Sequence, residues 1–377
     1  MSRIGASLGR IRALSSKEMR HIVRDARTLY LALGMPVVML FIFGYAVTFD
    51  LDRVPLGLFD ADRTPESREL ARVFDASGVF RLDRSIARDD EIEMLFRRGR
   101  ILGALVIPPG YGRELGAGRE ARAQFFLDGT DGASAAIALA YAGAIAQSLQ
   151  LKKLAPMAGD GATPIEVRAR LRFNPEARSA VFIVPGLIAL ILALMTVLLT
   201  SLSVAREWER GSLEQLFATP ARRIEILLGK LAPYVGLGML QVLLVLALGT
   251  TLFGVPVRGS LLWLFSSALI FIAGCVGQGL LISVVTRNQQ LATQVAALTS
   301  ILPTVLLSGF IFPIENMPVP LQALSAIVPA RYFIGALRGI MLKGSGPAEI
   351  GPYLLALGVF AGVMLAAANA RFRRRLD

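Results

Sequence analysis

Polar and apolar residues are sorted along this chain into long blocks. Six stretches of 21 to 28 residues contain no Asp, Glu, Lys or Arg: Thr28–Phe49, Val181–Val204, Leu231–Val257, Gly259–Thr286, Asn288–Ile314 and Ile350–Ala370. A helix of about 20 residues rises roughly 30 Å, the thickness of a bilayer's hydrocarbon core. The pattern predicts a polytopic α-helical membrane protein with spans at 28–49, 180–204, 231–254, 260–286, 291–312 and 350–370. The first run has 22 residues, longer than the roughly 7–15 of a signal-peptide core, and predicts a retained anchor.

Between these spans the pattern changes. Residues 50–178 alternate short apolar strands (Val54–Phe59, Val79–Leu82, Leu102–Ile107, Ala123–Leu127) with helical stretches (Thr64–Phe74, Asp89–Arg98, Gly132–Leu149). Such alternation predicts a small inserted α/β domain, returning through a polar linker at Lys152–Arg178. The leader 1–27 places Ile4, Leu8, Ile11, Leu14, Met19, Ile22 and Val23 among arginines, the pattern of an amphipathic helix lying on a membrane surface. Leu321–Leu342 is apolar but broken at Pro329, and its halves are too short to cross. The segment 313–349 is therefore read as re-entrant, with Arg331 and Arg338 on one face reaching toward headgroups or water.

Charge orients the chain. Of the net +12, the leader contributes seven basic against two acidic residues, the loop 205–230 five against four, Arg287 one, and the tail 371–377 four against one. The stretch 50–178 is balanced, with 19 of each sign. Basic excess in alternate connections places both termini, the 205–230 loop and Arg287 in the cytoplasm, and the α/β domain and 313–349 outside. That distribution argues against nucleic acid as a partner. Cys275 and His21 are the only residues of their types, so no internal disulfide forms and no nucleophile–histidine site exists outside the membrane. Nothing has metal-ligand spacing. Gly229-Lys230 is the nearest approach to a phosphate loop, but Ile224 stands where its first glycine belongs and Leu231 follows the lysine. Gly110, Gly112 and Gly116 resemble a dinucleotide loop only faintly, and the stretch 50–178 offers no obvious aromatic pocket.

The loop Arg206–Pro220 is the most informative polar segment. Trp208, Leu213, Leu216 and Phe217 fall near one face of a helix that Pro220 ends, an arrangement expected of a docking knob. A second short helix, Arg222–Lys230, leads into span three. Within the spans the polar side chains are uncharged: Thr196 and Thr200, Gln241, Gln278 and Ser283, and Gln294, Thr299, Ser300 and Ser308. Such groups join helix to helix or contact a substrate. Pro185 and Pro303 are expected to bend their spans, and Gly274, Gly277 and Gly279 to admit close helix contact.

The 206–234 segment resembles the first cytoplasmic loop of the ABC-2 type transporter permeases. Leu307–Pro318, Pro329–Ile334 and Leu337–Lys343 are similar to the same family, and the likeness runs through the whole chain. It implies the six-helix ABC-2 (type V exporter-like) architecture of a permease that is not itself an enzyme. ATP and Mg would be bound by a separate cytoplasmic ATP-binding cassette subunit and no cofactor by this chain. Glu207–Thr219 would be the coupling helix, engaging that subunit through Glu207, Trp208, Arg210, Leu213, Glu214, Phe217, Thr219 and Pro220, with 1–27 as a connecting helix. A second permease, identical or not, would complete a cavity lined by spans two and five, where Thr196, Thr200, Gln294, Thr299, Ser300, Ser308 and Phe310 meet substrate. Phe312, Pro313, Arg331 and Arg338 would form the outer gate. The implied place is a bacterial inner membrane, in contact with lipid; the resemblance also admits a periplasmic membrane-fusion adaptor and an outer-membrane channel as partners. An ion- or proton-coupled carrier would need charged residues inside spans, which the six runs lack. A sensor would need an output domain, which the short tail does not resemble.

Overall fold

A computed structural model of the chain describes residues 3–46, 53–88, 90–129, 132–154, 178–211 and 222–371. It divides into a helical unit, Met1–Thr48 with Arg172–Asp377, and an α/β unit, Phe49–Leu171.

The helical unit opens with α1 (Arg3–Arg24) and α2 (Ala26–Leu29), then a π-turn at Tyr30–Gly34 and α3 (Met35–Ala46). The α/β unit carries β1 (Val54–Asp60), α4 (Pro65–Ala76), β2 (Phe80–Ser85), α5 (Asp90–Arg97), β3 (Gly103–Ile107), α6 (Tyr111–Gly116), β4 (Gln124–Leu127) and α7 (Gly132–Leu154). Strand order is β2-β1-β3-β4; β1 pairs parallel with β2 and β3, and β4 runs antiparallel to β3. Leu56 and Leu105 turn to one face, where Leu70 and Phe74 of α4 and Ala138 and Ala142 of α7 cover them. Ala104 and Val106 turn to the other, against Ile92 of α5. Two covered faces explain why β3 reads as an unbroken apolar run.

In the second part of the helical unit come α8 (Ser179–Glu209), α9 (Arg223–Thr251), α10 (Leu261–Thr286), α11 (Gln289–Leu307), α12 (Val319–Ser325), α13 (Pro329–Arg338), a π-turn at Gly339–Lys343, and α14 (Pro347–Arg371). Among the described residues, α8–α11 and α14 are long and apolar enough to cross a membrane. A sixth span is reached only by joining Val319–Ser325 to Pro329–Lys343, which meet at 81°. Among the described residues the first apolar run forms a shorter apolar helix, Tyr30–Tyr45, and its end at 47–49 lies outside them. Span two continues as helix to Glu209, and the separate helix expected at Arg222–Lys230 is the first part of α9. Pro185 and Pro303 lie inside α8 and α11. Most of the linker expected at Lys152–Arg178 lies outside the described residues.

Helix α8 is the hub. Of its apolar window 89% is buried, against 22% for α11 and 17% for α14. Small residues set the close crossings: a Cβ on Gly279 of α10 would lie 2.6 Å from the Val197 carbonyl oxygen of α8. Gly274 and Gly277, on the same helix, admit Phe360 and Leu365 of α14. Phe271 of α10 stacks on Phe333 of α13 with ring centroids 4.3 Å apart.

Candidate functional site

At the C-terminal end of α8 three helix ends are tied by charge. Residues four apart share a helix face, and the stripe Arg10, Leu14, Glu18, Ile22 turns α1 onto the first turns of α9. Arg10 donates to both oxygens of Glu225, at 2.7 and 2.8 Å. Glu225 also accepts the Arg222 backbone N–H at 2.9 Å, so one carboxylate caps α9 and anchors α1. Ser15 donates to the Gly229 carbonyl at 2.9 Å, where a Cβ on Gly229 would lie 2.6 Å from that of Leu14. Lys230 donates to Glu18 at 3.2 Å and to Glu207 of α8. Glu18, Glu225 and Lys230 are all buried, and Arg206 reaches Asp25 at 3.4 Å.

This changes two expectations. The inward face of α1 is substantially polar, while Leu8, Met19 and Val23 stay exposed; the leader is bound to α9 rather than resting on a membrane surface alone. Glu207, expected to face a partner, is engaged within the chain. No local pattern marks this network, although the paired Glu225 and Lys230 at the root of an apolar helix were a signal. These buried charges sit at helix roots, outside the six uncharged runs.

Trp208 is half-buried, with the Arg287 guanidinium 4.8 Å from its ring centroid. Arg287 adopts φ +51° to close the α10–α11 turn, and Asn288 caps α11 by accepting from the Leu291 N–H at 2.9 Å. Glu209 accepts the Gln289 backbone N–H at 2.8 Å. The tryptophan thus finds part of its cover inside the chain. Arg210 is exposed. Leu213, Glu214, Phe217, Thr219 and Pro220 lie outside the described residues.

The expected pathway residues separate into two groups. Thr196 and Thr200 of α8 and Ser300 of α11 are buried, with hydroxyls that have no hydrogen-bond partner among the described residues. Thr200 packs at Gly279. Gln294 and Thr299 lie on the exposed side of α11, where Gln278 of α10 donates to Thr299 at 3.2 Å. In the single chain α8 therefore presents almost no wall to a cavity, because α10 and α11 cover it.

At the other end of α8, Phe310 is buried with its ring seated in the notch left by Gly186; a Cβ there would lie 2.0 Å from the ring. Ser308 donates to the Thr304 carbonyl and accepts the Phe310 N–H. Arg338 turns inward. It donates to the carbonyls of Gly309 and Phe310 at 2.9 and 3.2 Å and lies 3.9 Å from the Phe182 ring centroid. Arg331 donates to Ser325 at 3.1 Å, inside the bent segment. Neither arginine is simply directed at headgroups, because unpaired carbonyls at the end of α11 offer Arg338 better acceptors. Phe312 and Pro313 are exposed. The α9–α10 turn joins the same cluster, with Gly259 donating to the Ile340 carbonyl at 3.0 Å.

Comparison with known proteins decides the family. The model of the ABC-2 family transporter protein matches residues 27–369. The chain belongs to the ABC-2 transporter family. It is 38% identical over 371 residues to the probable multidrug ABC transporter permease YbhS of Escherichia coli, covering 98% of each chain. To the probable multidrug ABC transporter permease YbhR it is 31% identical over 367 residues, covering 97% of this chain and 99% of the relative. A match to ABC transporter G family member 20 of Dictyostelium discoideum, 33% over 175 residues, covers 46% of this chain and 24% of the relative. Like these ABC-2 permeases, the chain is a multi-pass membrane protein.

The α/β unit of this ABC-2 protein holds two further features. Gly110 and Gly112 donate their N–H groups to Asp62 at 2.6 and 2.8 Å. The loop that faintly resembled a dinucleotide site is thus filled by the chain's own carboxylate, and α6 follows it. The Thr64 hydroxyl first, then these amides, hold the Asp62 carboxyl below the ordinary carboxylate range. Between α4, α6, β4 and α7 lies an open cleft of about 1030 Å³ with Phe74 and Phe125 in its wall. Their rings and that of Phe80 lie 5.4–5.5 Å apart. The sequence indicated no aromatic pocket, because Phe125 of β4 meets Phe74 only once α4 packs on the sheet.

Proposed function

We propose that this chain is the membrane-spanning subunit of an ATP-binding cassette exporter. It pairs with a second permease, in a bacterial inner membrane, to move a drug-like, lipid or other small compound outward. A separate cytoplasmic subunit binds ATP and Mg and hydrolyses the ATP. Both termini face that subunit, and the α/β unit lies on the opposite side. The observation that carries the reading is the Glu18–Lys230–Glu207 tie, which joins α1, α8 and α9 next to the 207–219 loop. A push on that loop reaches two long helices without slack, since buried paired charges resist separation. The compound class follows YbhS and YbhR, both named probable multidrug permeases. We assign the pathway wall to the exposed side of α11, with Gln294 and Thr299, and the outer gate to the Arg338 cluster.

The test uses the transporter reconstituted with its ATP-binding partner in vesicles. Arg210→Ala with Glu214→Ala is expected to abolish ATP-driven export of a fluorescent amphipathic compound while the subunits still assemble. Undiminished export by the double variant would remove the docking role, and export by the permease alone, without ATP, would remove the whole reading.

A further inference from the structure

Beside the charge tie, α1 and the end of α8 line an open pocket of about 440 Å³ whose charges do not balance. Five cations line it: Lys17, Arg20 and Arg24 from α1, and Arg206 and Arg210 from α8. Its two carboxylates, Glu18 and Glu207, already face Lys230, and Arg206 has Asp25. Lys17, Arg24 and Arg210 meet no carboxylate among the described residues. A pocket with this surplus, in the size range of small-molecule sites (roughly 300–1,000 Å³), suits an anion. Arginine forks fit phosphate oxygens in particular.

Depth says where such an anion comes from. Ser179–Ala205 of α8 is uncharged over 27 residues, about 40 Å of helix, more than the roughly 30 Å of hydrocarbon. Arg206 and Arg210 therefore stand at the level of lipid headgroups. Next to Arg20 and Arg24 on α1, Met19 and Val23 are 43% and 58% exposed. The leader thus offers cations and, beside them, uncovered apolar side chains.

We infer that this pocket binds an anionic membrane phospholipid, its phosphate among Lys17, Arg24 and Arg210 and its acyl chains along Met19 and Val23. Bound there, the lipid fastens α1 to α8 at the charge tie. Basic pockets between membrane helices hold anionic headgroups by the same attraction. The inference goes beyond the export reading and does not depend on which side of the membrane this end faces.

Native mass spectrometry of the intact, detergent-purified protein tests it, with phosphatidylglycerol, phosphatidylethanolamine and inorganic phosphate as separate probes. Phosphatidylglycerol is expected to bind about tenfold more tightly than phosphatidylethanolamine. Lys17→Gln with Arg24→Gln is expected to erase that preference, while Lys17→Arg with Arg24→Lys keeps it. Arg12→Gln with Arg223→Gln removes two exposed cations outside the pocket and is expected to change nothing. Equal binding of the two lipids, or equal loss in both glutamine pairs, overturns the inference. So does inorganic phosphate binding that lipid cannot displace, which assigns the pocket to a free anion. If the Lys17/Arg24 pair instead loses the ATP-binding subunit while lipid binding is untouched, the pocket is a protein contact and the inference fails.

Discussion

At one end of α8 Lys230 sits between two carboxylates, whereas at the other Arg338 is held by backbone carbonyls and an aromatic face. Phe182 and Glu207 are 25 residues apart on one unbroken helix, about 37 Å. The first end binds three helices through buried opposite charges, and separating them strands a charge away from water. At the second, Phe310 in the Gly186 notch and Arg338 over Phe182 join the bent segment to α8 without a countercharge. Carbonyl and ring contacts can be exchanged for water at lower cost. One end suits the transmission of a force, and the other suits a seal that opens and recloses. The same use of backbone dipoles recurs in the α/β unit with reversed sign, where N–H groups hold the Asp62 carboxylate.

Breaking the charged end is expected to do most damage. Lys230→Met leaves the buried Glu18 beside the half-buried Glu207 with no countercharge and should cost about 3–5 kcal/mol, read as an earlier thermal unfolding transition in detergent. An additional Glu18→Gln should restore much of the loss; no restoration would show that the lysine matters for packing and not for charge. At the carbonyl end, Arg338→Gln gives up charge-assisted bonds worth about 1.5–3 kcal/mol and should loosen the α11–α13 junction, seen as faster hydrogen exchange at 309–338. Equal exchange would place the seal elsewhere. Gly186→Ala forces its methyl into the Phe310 ring, and overpacking of this kind costs about 1–3 kcal/mol. Combined with Phe310→Ala the two substitutions should be less than additive, and strict additivity would separate the pair.

The smallest effect is a titration. The Asp62 pKa is depressed in the folded state. Its contribution to stability is therefore complete above the unfolded value of about 4 and is lost as pH falls through the folded pKa. Asp62→Asn should flatten the acid limb of unfolding of the α/β unit, followed by tryptophan-independent far-UV dichroism. Arg338, with neutral acceptors, contributes no such limb.

Much of the architecture was legible along the chain. The uncharged runs located α8 to α11 and α14, and the alternation within 54–127 located four strands and two of the helices around them. The break at Pro329 was also visible, since proline opens α13 as its first residue. The candidate site was far less legible. Glu207, Trp208 and Arg338 were noticed as polar or aromatic residues in telling places, but their partners Lys230, Arg287 and Gly309 were not. The first apolar run was read as a full span, whereas its described helix is shorter and interrupted by a π-turn at Tyr30–Gly34.

By itself the sequence determined five helices able to cross a membrane, because the thickness of hydrocarbon imposes a length on apolar runs and each run is judged locally. It also determined the family likeness, carried by the residues around 206–234 and 307–343. Only the tertiary structure decided that α8 is buried and α11 exposed, and that Glu18 meets Lys230 across 212 residues of chain. Helices that look alike in composition differ in which neighbours they meet, and a charge becomes buried and paired only when separate helix ends are brought together.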